Sequence, residues 1–410
     1  MDERNQRVRS APRAREVFAA TIGNALEFYD FFVYGLFAIQ IGRAFFPVGS
    51  AYGSLMLSLA TFGAGFLTRP LGALVLGAYA DKAGRRPAML LSLIMIGASM
   101  IGLAVIPPYA RIGVAAPVLA VLARLTQGFS VGGEVGANTA FLAEVALPER
   151  RGATVSWQGV GQLIALVTGS LIGAALAAIL PAARLDAYGW RIAFLVGALA
   201  VPVGYWLRRN ICETLHEAEA DTPPAARLAG ASPAAAVEPG RGELARRHWR
   251  IILLGLIIIA AGTVGTYILI YTATYAQSTL HLSARAGFLA SLAGFAAGIP
   301  AVRLGGHLSD RYGRWRINVW CNLAFLLAIY PVFAWVAAGR SAIALACGMV
   351  LLSAFSFANF GSFCAAMIEA LPRRIRSGAF GTAYASAIAL FGGTTQLVIT
   401  WLIHVTGSAI

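Results

Sequence analysis

Charge is what this chain has least of. Only 12% of its 410 residues are Asp, Glu, Lys or Arg, against 58% hydrophobic, and the mean hydropathy is +0.71. That scarcity excludes a soluble globular domain, because there is far more apolar surface than a core hides and far too little charge to coat it. Cysteine is scarcer still. Cys212, Cys321, Cys347 and Cys364 are scattered without paired spacing, which excludes a disulfide framework and a sulfur-based metal site. His216, His248, His281, His307 and His404 stand apart from one another, and there is neither a phosphate loop nor a nucleophile with a base. Enzyme chemistry has no foothold, and no cofactor is expected. Strand alternation is missing too, so the apolar runs read as helices, the form that satisfies every backbone group in lipid.

What is present is a succession of such runs, eleven in all. They fall at about 17–46, 52–80, 88–107, 114–143, 153–180, 190–207, 250–279, 286–304, 317–338, 341–369 and 378–405, each near or above the roughly 20 residues that cross a bilayer. Residues 1–16 are charged and the first run is too long for a signal peptide, so a multi-pass inner-membrane protein is expected. The net charge of +14 is unevenly placed. With the N-terminus in the cytoplasm, one set of loops collects Arg4 to Arg15, Lys82, Arg85, Arg86, Arg150, Arg151, Arg208, Arg209, the 241–250 segment, Arg311 to Arg316 and Arg373 to Arg376; the other loops show isolated residues such as Arg111 and Arg340. This is the positive-inside pattern, so the basicity sets topology and does not indicate a nucleic-acid partner.

One connection is long. Residues 208–249, rich in Ala, Pro and charge, separate a six-helix half (1–207) from a second half (250–410) with five helices. The halves share motifs. Gly77, Asp81, Gly84 and Arg85 are answered by Gly306, Asp310, Gly313 and Arg314 at the same spacing, and "AEVALPERRG" (Ala143–Gly152) by "IEALPRRIRSG" (Ile368–Gly378). Two motif pairs at nearly one offset point to a duplicated unit. Parallel halves about a central site are the plan of a secondary transporter.

Inside the spans, a few polar residues stand out. Glu27 and Asp30 lie mid-span in the first helix, three apart and so on one face. Carboxylates there are costly unless paired or facing water, and a buried one whose cationic partner comes and goes can load and release a proton. Arg124, at a comparable depth on the fourth helix, is the obvious cation. The expected cycle is a competition: Arg124 neutralises Asp30 in the empty carrier and turns to a substrate carboxylate once Asp30 is protonated. Gln127 follows one turn on. Glu134, deeper beside Gly132 and Gly133, is either a proton site or a buried hydrogen-bond partner. Thr263, Tyr267, Tyr271 and Tyr275 form a stripe four apart, a cavity lining or a packing face. Tyr34, Gln158, Gln162, Asn359, Tyr384 and Gln396 are further in-span hydrogen-bonders able to orient an anion. Arg69 and Arg303 read as helix-end residues that snorkel, ranking below Arg124.

Gly77–Arg86 resembles the signature loop of the major facilitator superfamily. "GNALEFYDFFVYG" (Gly23–Gly35) and "RLTQGFSVGGEVG" (Arg124–Gly136) resemble its metabolite:proton symporter branch. Within it, "FFVYGLFA", "SLMLSLATFGAGFLTRPLGA", "YGWRIAF", "YTATYAQSTLHLSAR" and "FGGTTQ" are similar to citrate–proton symporters, over essentially the whole chain. The resemblance implies an all-α membrane protein of the major facilitator fold, two six-helix pseudo-repeats that rock about a site for a small organic anion and protons, with a monomer in the bilayer expected. It also implies a gate. Asp81 meets a helix N-terminus, Arg85 pairs with Glu144 beside Arg86, and Asp310, Arg314 and Glu369 are the second-half equivalents. The superfamily plan has twelve spans, so a missing C-terminal helix is expected. Two other functions stay open: uptake of a zwitterionic osmolyte such as proline or betaine, which the branch also carries, and a non-transporting membrane sensor.

Overall fold

The computed structural model describes residues 14–209 and 241–409, except Gly84, Gly133 and residues 373 and 374. The side chains of Asp81, Arg85, Arg86 and Glu134 also lie outside the described residues. Among the described residues every regular element is helical. In chain order these are α1 (Ala14–Leu36), α2 (Ala38–Phe45), α3 (Ala51–Leu76), α4 (Arg85–Val105), α5 (Ala115–Val145), α6 (Pro148–Ile179) and α7 (Trp190–Arg209). After the 210–240 stretch come α8 (Trp249–Ser278), α9 (Ala284–Tyr312), α10 (Arg314–Gly339), α11 (Ala342–Ala370) and α12 (Arg376–Thr406).

Helix therefore covers each of the eleven apolar runs, but eleven crossings are not established. Among the described residues, 8 helices are long and apolar enough to span a membrane, or 9 if α1 and α2, which meet at 68°, are one broken span. α4 offers only a shorter apolar stretch, Leu90–Val105.

Local chemistry sets the helix ends. Ser50, Ser283 and Ser341 cap α3, α9 and α11 by accepting from backbone N–H groups three or two residues on. Gly313 turns the chain from α9 to α10 at φ +94°, a conformation that favours glycine, which explains the glycine in that motif. α10 carries Trp315, Trp320, Leu326, Leu327 and Tyr330 on an exposed face, as a helix against lipid does.

One seam of small residues positions the interior. A Cβ at Gly128 would lie 1.5 Å from the Gly65 carbonyl oxygen, one at Gly72 1.8 Å from that of Phe129, and one at Gly132 2.1 Å from that of Arg69. Only glycine fits, so α3 and α5 pack backbone to backbone. The Thr68 hydroxyl donates to the Leu125 carbonyl at 2.6 Å and fixes their register.

Candidate functional site

That seam brings two arginines together. Arg124 on α5 is fully buried and Arg69 on α3 is 2% exposed. Their guanidinium carbons each stand 4.2 Å from the centroid of the Phe31 ring. Arg124 also lies over Tyr34 and Phe62, at 4.5 and 5.2 Å, and Arg69 over Phe66 at 4.6 Å. One Arg124 nitrogen donates to Gln127 Oε1 at 2.6 Å; its Nε and Nη2, and the Nε and Nη2 of Arg69, have no partner. The small Gly65 makes room: a Cβ there would sit 3.3 Å from Arg124 Nε.

Asp30 is next to Phe31 and fully buried. Its Oδ1 accepts from the Phe31 amide at 2.6 Å and its Oδ2 has no partner. Both arginines lie within electrostatic reach of it, and neither closes an ion pair with it. Glu27, one turn away, is 3% exposed. The sequence ranked Arg69 as a snorkelling helix-end residue, and the structure corrects this. The span runs on past it to Leu76 and its side chain is buried, so Arg69 is an interior position.

The helices after residue 240 close the site. Tyr267 of α8 faces both arginines and packs on Phe62 and Phe66, with ring centroids 5.9 and 5.7 Å away. Gln396 of α12 is fully buried with both amide atoms unpaired, its Nε2 3.5 Å from where Gly35 would carry a Cβ. Gln162 Nε2 donates to the Tyr384 hydroxyl at 3.0 Å. Asn359, Oδ1 unpaired, lines with Gln162, Thr263, Tyr267 and Tyr384 a cavity of about 30 Å³, enough for water and too small for an organic anion. Two candidates are engaged elsewhere. Gln158 exchanges hydrogen bonds with Asn24 and Asn138, at 2.9 and 2.5 Å, and the Tyr271 hydroxyl accepts from Thr400 at 2.9 Å.

On either side of this site the helices before residue 210 and those after 240, an N-terminal and a C-terminal set, touch. At one end the Asp310 carboxylate accepts from the Gly152 and Ala153 amides, both at 2.8 Å, in the first turn of α6. A free helix N-terminus favours such an anion. Arg314 holds Asp310 at 2.5 Å and Glu369 at 3.0 Å, while Arg151 reaches Glu369 at 4.0 Å. Glu144 pairs with Arg376, at 3.8 Å; its expected partner Arg85 is outside the described residues. Arg303 donates to the Ala153 carbonyl and, at 2.8 Å, to Ser156 Oγ. The sequence undervalued it, although Arg303 precedes Asp310 by two helical turns and so shares its face. At the other end Gln40 donates to Gln277 at 3.0 Å, Phe37 meets Phe288 at 4.8 Å and Tyr52 stacks on His404 at 3.8 Å.

Fold and site together define a multi-pass membrane protein with a charged interior between two helix sets. The chain belongs to the Major Facilitator Superfamily, whose family model matches residues 20–394. It is 36% identical over 392 residues to a citrate-proton symporter of Salmonella typhi, covering 95% of this chain and 88% of that protein. It is 30% identical over 392 residues to a proline/betaine transporter of Salmonella typhimurium, covering 95% and 78%. Among solved structures it resembles the xylose transporter XylE from E. coli, in a partially occluded inward open conformation, with a TM-score of 0.71 at 16% identity over 95% of this chain and 96% of that one.

Proposed function

We propose that this chain is a proton-coupled symporter for an organic carboxylate, working by alternating access between its two helix sets. One observation carries the reading. Asp30 and Arg124 are both fully buried, each retains unpaired polar atoms, and they face one another without closing an ion pair. Arg124 balances Asp30 when the carrier is empty. Protonation of Asp30 frees Arg124 for a substrate carboxylate, so anion and proton load together. Gln127, Tyr34, Gln162, Tyr267, Asn359 and Gln396 orient the anion. Glu27 and Glu134 are the other acidic groups available to the proton.

Opening requires the sets to part at one end at a time. The cluster of Asp310, Arg314, Glu369 and Glu144 is the inner gate, with Asp81, Arg85 and Arg86 as its first-half counterpart. The direct test is uptake of labelled citrate, 2-oxoglutarate and betaine into vesicles with an imposed pH gradient. A carboxylate should accumulate when the gradient is inward and stop when a protonophore collapses it. Accumulation of betaine with no carboxylate uptake would overturn the proposal in favour of osmolyte transport, the reading that likeness to the proline/betaine transporter supports.

A further inference from the structure

We propose that Arg69 is a second substrate-binding cation, and that with Arg124 it makes the site select anions with two or more carboxylates. This rests on the carboxylate-symport reading and adds to it a residue and a charge requirement. The argument begins with charge balance. Among the described residues, Asp30 is the carboxylate whose field reaches both arginines. These three groups are two cations and one anion, and protonation of Asp30 leaves the two cations with none. Buried charge without compensation is strongly unfavourable. A zwitterion brings no net negative charge and a monocarboxylate leaves one cation over. A dianion balances the pair.

Geometry agrees. Each guanidinium carbon is 4.2 Å from the Phe31 centroid, so the two lie within twice that distance of one another. A short di- or tricarboxylate can bridge such a gap with one carboxylate on each guanidinium. Each arginine keeps two buried nitrogens with no protein partner, and Arg69 is 2% exposed, so these donors are placed to receive a ligand's carboxylates. The same placement argues against a quaternary ammonium. The aromatic faces of Phe31, Tyr34, Phe62 and Phe66 that would receive one already hold guanidinium groups.

The test uses the purified full chain, with inhibition of labelled citrate uptake into proteoliposomes as the readout in the wild type and direct calorimetric binding as the readout in the variants, whose citrate uptake the substitution itself weakens. Glutarate is compared with its monomethyl ester, which keeps the skeleton and loses one charge. In the wild type the ester should bind about a hundredfold more weakly. In Arg69→Gln glutarate should weaken by about the same factor while the ester changes little, so the preference collapses. Arg69→Lys keeps the charge and should retain a clear preference, which covers the case in which the neutral variant does not fold. Equal inhibition by glutarate and its ester in the wild type overturns the inference whatever the variants do. Equal weakening of both in Arg69→Gln removes Arg69 as the selecting residue. In either case citrate uptake by the wild type still stands for the carboxylate reading; absence of all carboxylate uptake sinks that reading itself.

Discussion

The two ends of the seam between the helix sets are built from different materials. At the Asp310 end, Asp310 holds two amides of α6, Arg303 holds a carbonyl and a hydroxyl, and Glu144 pairs with Arg376. At the Gln40 end the crossing contacts are an amide pair, an aromatic pair and a Tyr–His stack, with no ion pair across the seam among the described residues. Hydrogen bonds to charged groups are worth about 1.5–3 kcal/mol and neutral ones about 1 kcal/mol. By these magnitudes the Asp310 end carries the stronger crossing contacts, and on the proposed alternating-access reading the Gln40 end opens at less cost.

The largest expected effect lies between the ends. Asp30→Asn mimics the protonated carrier, and in counterflow it should bind and exchange substrate yet lose accumulation against a gradient entirely. A variant that still concentrates substrate would pass the proton role to Glu27 or Glu134. Next comes the firm end. Asp310→Asn removes the anion from the α6 N-terminus and leaves Arg314 without one of its two carboxylate partners, so turnover should fall about tenfold or more, with affinity within a few-fold. An unchanged rate with collapsed affinity would show that Asp310 belongs to the site and not to a gate. The smallest effect belongs to the weak end. Gln277→Ala removes one neutral hydrogen bond across the seam and should change turnover by about fivefold or less. If it matched Asp310→Asn, the contrast between the ends would be false.

Much of this was legible in the sequence, and the failures have physical causes. The resemblance of the repeated Gly-x-x-x-Asp motif to the superfamily's signature loop implied an acid at a helix N-terminus, and Asp310 sits at one. Asp30 and Arg124 stood out because charge inside an apolar run is rare. Arg69 was ranked low although it lies inside the 52–80 run, because sequence alone does not show that its face of the helix turns to the interior. Gln158 read as a substrate contact because its partners, Asn24 and Asn138, lie on other helices that sequence spacing cannot bring together. The 68° bend after Leu36 carries no proline to signal it. Nor does sequence order reveal that Glu144 faces Arg376.

The contact between Asp310 and α6 has a further consequence for how this protein tolerates change. Asp310 grips two backbone amides, so the receiving half of the latch is written in no side chain. At Ala153 almost any replacement keeps the amide, and only proline deletes it. At Gly152 the limit is bulk, because a Cβ there would stand 2.4 Å from Ser309 Oγ and 2.7 Å from the Gly306 carbonyl oxygen. Substitution at Ala153 can thus leave the grip of Asp310 intact, while Asp310 has no such freedom: one side of this contact is held by identity, the other by shape alone.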